Sequence, residues 1–133
     1  MSHSLIVVAG VMAAILFLIN SAMFPRLLYI RQGKNRILKR NLALFLRKEM
    51  KWHAMLGWIG IAFVAIHIGL QWASFVYWDW GLKRSAGALS FLALAFVLWS
   101  GLLRSRKANG WRRQFHAWSS ILFTFILLLH ILW

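Results

Sequence analysis

The sequence predicts an all-α protein, a transmembrane four-helix bundle occupying residues 1–133 as one domain. Three observations predict it. Four apolar stretches are present, each near the roughly 20 residues that a helix needs to cross hydrocarbon. Hydrophobic residues make up 62% of the 133 residues, and mean hydropathy is +0.68, leaving too little polar surface to cover a soluble globule. The basic residues gather between the stretches and not within them.

Span one is expected at about 5–24, with Pro25 ending or kinking it. Met1, Ser2, His3 and Ser4 carry no formal charge, so this segment reads as a retained span and not a cleaved leader. A basic cytoplasmic loop follows at about 26–51. Within it Ile37, Leu38, Leu42 and Phe45 recur at helical spacing, with Arg36, Arg40, Arg47 and Lys51 on another face. An amphipathic helix lying on the inner membrane surface is the expectation; the simpler alternative is a cytoplasmic extension of span two. Span two is expected at about 52–77. A short loop carries Lys83 and Arg84 against Asp79. Span three, at about 86–103, is the shortest. Asn109 and Gly110 supply a turn before span four, at about 115–133.

Loop charge orients the spans. Arg26, Arg31, Lys34, Arg36, Lys39, Arg40, Arg47, Lys48 and Lys51 lie in the first connection, and Arg104, Arg106, Lys107, Arg112 and Arg113 in the third. That is fourteen cations on one side against Lys83 and Arg84 on the other. The positive-inside rule makes the fourteen cytoplasmic and both termini extracytoplasmic. Trp52 and Trp111 mark the inner interface; Trp78, Trp80 and Trp133 mark the outer one. An integral, multi-pass protein of a bacterial inner or plasma membrane is expected, with the lipid bilayer as its first partner. The net charge of +14 is explained by span flanks, so no nucleic-acid partner is read from it. The chain has no cysteine, which excludes disulfides and thiolate-held metal clusters.

The histidines carry the chemistry. His53 and His67 stand fourteen residues apart, and so do His116 and His130. On a straight helix that spacing turns the second imidazole only about 40° from the first and places it about 21 Å along the axis. Ionisable groups inside a membrane are costly and mark function by default. Both pairs lie on even-numbered spans, which run parallel. His53 then pairs with His116 near the inner border, and His67 with His130 near the outer one. Each pair offers two neutral imidazoles to the two faces of a haem iron, and each needs an acceptor at its other nitrogen. Gly57 and Gly60 lie on the ligand face of span two, where a large flat ring can approach the backbone. Phe123 falls midway between His116 and His130; Ser119, Ser120 and Thr124 are near enough to bond backbone or ligand. Structural hydrogen bonds have no reason to select fourteen twice. Zinc or copper lacks the carboxylate or thiolate to complete a shell. Lys51, Lys83, Arg84, Arg112 and Arg113 are placed for propionates or as interfacial anchors.

His53, His67, His116 and His130, with Gly57 and Gly60, give the chain a resemblance to di-haem b-type cytochromes. It is similar to the four-helix core of the ferric reductase and NADPH oxidase transmembrane domain, and to the cytochrome bc bundle. Ligand helices that run outward from the cytoplasm resemble the reductase type. The resemblance implies two haems b and transmembrane electron transfer by a small, stand-alone cytochrome. The donor would be a cytoplasmic flavoprotein or a quinol. The extracytoplasmic acceptor would be ferric iron, oxygen, superoxide or quinone, which would make the chain a transmembrane reductase. A haem-bearing membrane anchor subunit of a separate dehydrogenase or reductase is the alternative. A small four-span transporter is a third class, for which span one offers only Asn20 and Ser21 as polar groups.

Overall fold

In the computed structural model, residues 3–73, 81–107 and 109–132 are described. Five helices account for nearly all of them: α1 (His3–Ser21), α2 (Met23–Gln32), α3 (Arg36–Ala73), α4 (Leu82–Arg106) and α5 (Gly110–Leu132). They form four helical stretches long and apolar enough to cross a membrane, His3–Gln32, Arg36–Ala73, Leu82–Arg106 and Gly110–Leu132. The chain divides into two compact units, the first holding α1–α3 and the second α4 and α5. The expected markers Trp78, Trp80, Asp79 and Trp133, and the far ends of spans two and four, lie outside the described residues.

The first unit is an antiparallel hairpin. Ile6, Ala9, Ala13, Ala14 and Phe17 form one buried stripe on α1, and their mostly small side chains let α3 come close. Contacts step in opposite directions along the two helices: Gly10 meets His67, Phe17 meets Gly60, and Asn20 meets Gly57. Pro25 does not end the first helical stretch. It sits in the first turn of α2, where its missing N–H is tolerated. Its ring conflicts with the carbonyl four residues back, and α1 stops at that residue, Ser21. The chain then resumes as helix to Gln32. Gly33 closes α2 by donating to the Tyr29 carbonyl, and a Cβ there would stand 2.6 Å from that oxygen, so only glycine fits.

Two expectations for residues 26–51 are corrected. Apart from residues 33–35 the segment is helix and not loop. Nor is there a separate interfacial helix: residues 36–51 are continuous with span two in the single 38-residue α3. The physical reason is local. Asn35 Oδ1 accepts from the backbone N–H groups of Ile37 and Leu38, at 3.0 and 3.1 Å, and so starts the helix. No glycine or proline then interrupts the chain until Gly57. At 1.5 Å per residue α3 is about 57 Å long, far beyond the roughly 30 Å hydrocarbon core. Arg26 of α2 fastens its first half, giving Glu49 two bonds of 2.5 and 2.6 Å and lying 5.1 Å over the Phe45 ring.

The second unit is also an antiparallel hairpin. Gly87, Ser90, Leu94, Val97 and Gly101 repeat every three and four residues along α4. Gly87 meets His130 and Gly101 meets His116 on α5. Asn109 caps α5 through its Oδ1, which accepts from Arg112 N–H at 2.8 Å. The Arg112 guanidinium in turn donates to the Leu103 and Lys107 carbonyls, at 2.9 and 3.3 Å, and closes the end of α4.

Candidate functional site

Each histidine pair lies on one uninterrupted helix, His53 and His67 on α3 and His116 and His130 on α5. The fourteen-residue spacing therefore becomes a true axial separation of about 21 Å in each unit. All four histidines are partly buried. Within each hairpin the first histidine lies toward the strongly basic end and the second toward the end with few charges.

Three of the imidazoles are seated in the same way. His67 Nδ1 lies 2.8 Å from the Ile6 carbonyl oxygen on α1. Four residues on from Ile6 stands Gly10, where a Cβ would come within 2.9 Å of that same nitrogen. His130 Nδ1 lies 3.2 Å from the Lys83 carbonyl oxygen on α4. Four residues on from Lys83 stands Gly87, where a Cβ would meet the ring at 3.1 Å. At His116 the carbonyl belongs to Val97, and a Cβ on Gly101, again four residues on, would meet the ring at 3.4 Å. Here a hydroxyl intervenes: Ser100 Oγ donates to the Val97 carbonyl at 2.8 Å and lies 2.9 Å from His116 Nδ1. In a helix the residue four after a carbonyl overhangs it, so glycine is what opens that oxygen to a flat ring.

The acceptors assign the protons. A carbonyl oxygen only accepts, so Nδ1 of His67 and of His130 carries the hydrogen. Ser100 has one hydrogen and donates it to Val97, so it accepts from His116 Nδ1. All three imidazoles thus have Nδ1 engaged with a fixed oxygen partner. A metal-ligating histidine is held in the same way, its other nitrogen fixed by an outer partner.

His53 is held differently. Its carbonyl accepts from Asn20 Nδ2 at 3.3 Å. The position on the first hairpin strand that matches Gly10 after fourteen residues is Phe24, beyond the Ser21–Met23 break, so the glycine seat is not repeated. Gly60 admits the ring of Phe17, which a Cβ would approach to 3.0 Å, and Gly57 borders Asn20 at 3.8 Å. Both expected glycines thus face α1 and serve its packing. Ser119, Ser120 and Thr124 each bond the carbonyl four residues back, at 2.8 Å. Phe123 is buried on α5. Among the basic residues named for propionates, Arg112 caps α4, while Lys51, Lys83, Arg84 and Arg113 are exposed.

Gly10, Gly87, Gly101 and Ser100 escaped the sequence reading. One signal was present: Gly87 and Gly101 are fourteen apart, the spacing of the histidines they face. Three imidazoles with an oxygen partner at Nδ1 and a glycine beside the ring are a donor set of the kind that haem iron takes. Comparison with known protein families, curated proteins and solved structures finds no match to this chain.

Proposed function

We propose that the protein is a small di-haem membrane cytochrome that passes electrons across a bilayer. His53 and His116 would hold one haem b toward the basic, cytoplasmic side, and His67 and His130 a second toward the outer side. When bound, the two haems supply reversible one-electron chemistry at two depths of the membrane. The chain's own residues set the ligands. The Ile6, Lys83 and Val97 carbonyls, the last through Ser100, hold the imidazoles of His67, His130 and His116 in the ligating tautomer. Gly10, Gly87 and Gly101 keep those rings against backbone, and the apolar outer faces of the helices exclude water. The observation that carries the reading is this repeated seat, a carbonyl with glycine four residues on, beneath three of the four histidines that are spaced as two matched pairs.

The testing experiment is a pyridine haemochrome assay with a reduced-minus-oxidised spectrum of the purified full chain. Two haems b per chain are expected. His67→Ala should leave one haem, with His53→Ala removing the other. Protein that purifies without haem after expression with ample haem would overturn the proposal.

A further inference from the structure

The half of α3 before Trp52 carries an outward ridge. Leu46 is buried and Glu49 takes the Arg26 guanidinium of α2, so that side of the helix is used within the hairpin. At about 100° per residue, Leu44 and Ile37 lie about 160° and 180° round the axis from Leu46. They are 57% and 70% exposed. Seven residues separate the two, as seven separate Arg40 from Arg47 on one flank and Asn41 from Lys48 on the other. All four flanking residues are exposed. We infer that this ridge docks an acidic amphipathic helix of a second protein.

Charge defines the partner. The chain has two acidic residues in all. Glu49 is taken by Arg26, and Asp79 follows α3 at its opposite end. The carboxylates that balance Arg40, Arg47 and Lys48 must then come from another molecule. A second copy of this ridge would bring the same cations and be repelled.

The apolar centre narrows the choice. Ile37 and Leu44 stand about 22 and 12 Å along the axis from Trp52, past the reach of lipid headgroups. A nucleic-acid phosphate backbone would pair with the cations and leave both aliphatic side chains in water. A helix with an apolar residue at every seventh position covers both and sets carboxylates against both flanks, as in a two-stranded coiled coil. The ridge is preorganised, because α3 is one uninterrupted helix from Arg36 to Ala73. The inference needs only α2 and α3, and stands independently of the haem reading.

The test titrates the full chain, in nanodiscs of neutral phosphatidylcholine, with a fluorescent synthetic helix that carries leucine at every seventh residue and glutamate on both flanks. Anisotropy reads the binding. Saturable binding that weakens as salt rises is expected, with none for a scrambled peptide of the same composition; that comparison uses the unaltered protein. Ile37→Ser with Leu44→Ser should weaken binding at least about tenfold, and so should Arg40→Glu with Arg47→Glu. A peptide with lysine replacing the glutamates of one flank should regain binding to the Arg40→Glu, Arg47→Glu protein. Helix circular dichroism checks the fold of each variant. Equal binding of the scrambled peptide, or affinity unchanged by the serine pair, would overturn the proposal. Binding of single-stranded RNA or of phosphatidylglycerol vesicles that the serine pair weakens as much would give the ridge to those ligands instead and overturn it too.

Discussion

The hydroxyl of Ser100 accepts from the imidazole of His116 at 2.9 Å while donating to the Val97 carbonyl at 2.8 Å. Ser100 is fully buried, at 0% exposure. It places an accepting hydroxyl between the Val97 carbonyl and the ring. Outer partners of metal-bound histidines are worth about 10- to 100-fold in metal affinity. On the proposed haem ligation, Ser100→Ala should therefore speed haem loss at the His116 level by about that factor, with His130 unaffected. Transfer to apomyoglobin, followed by absorbance, measures it. Ser100→Thr, which keeps the hydroxyl, should restore most of the retention.

The three glycine seats differ in clearance, and that predicts a ranking. A Cβ would stand 2.9 Å from the His67 ring at Gly10, 3.1 Å from His130 at Gly87 and 3.4 Å from His116 at Gly101. The first distance forces the imidazole to move; the last is close to ordinary contact. Glycine-to-alanine changes should thus disturb ligation in the order Gly10, Gly87, Gly101. Overpacking of this kind costs about 1–3 kcal/mol at the tighter sites. Electron paramagnetic resonance of the low-spin ferric haems that the proposal requires would report the ligand geometry directly. An effect at Gly101 larger than at Gly10 would contradict the ranking.

Much of this was legible from the residues, and the rest was not for physical reasons. The four helical stretches follow from apolar length, and the histidine register from the helical repeat. Both are properties of single segments. What partners a histidine is a property of two segments, and hairpin register decides it. Gly57 and Gly60 share a face with the histidines, yet that face meets α1. The continuity of α3 was hidden for a related reason. Alternating apolar and basic residues suit a membrane-surface helix and a projecting one equally, and the absence of any break before Gly57 is what separates them.

The Arg26–Glu49 pair joins α2 to the projecting half of α3, with side chains 32% and 22% exposed. Partial burial and two short bonds raise it above a surface pair, although removing one partner also leaves the other charge poorly solvated. Arg26→Gln should lower hairpin stability by about 1 kcal/mol, and Glu49→Gln by a similar amount. The double variant should cost less than the two single changes together, because the interaction can be lost only once. Unfolding in increasing dodecyl sulfate, followed by helix circular dichroism, measures the cycle. Strict additivity would show that the pair does not couple the helices.

Ile37 and Trp58 are almost equally exposed, at 70% and 68%, on one continuous helix. They differ in what they are exposed to. Ile37 lies fifteen residues before Trp52, about 22 Å along the axis, which is beyond the reach of the headgroup layer. Trp58 lies six residues past Trp52, about 9 Å into the apolar half. The chain has no cysteine, so single cysteines report cleanly. Ile37→Cys should react fully with a membrane-impermeant maleimide once the basic side is open, and Trp58→Cys should not react until detergent is added. A helix lying flat on the membrane would instead shield Ile37→Cys and give a nitroxide there contact with lipid-borne oxygen. Labelling of Ile37→Cys in inverted vesicles but not in intact cells would place the basic half of α3 in the cytoplasm; labelling in intact cells would reverse the orientation that the charge bias predicts.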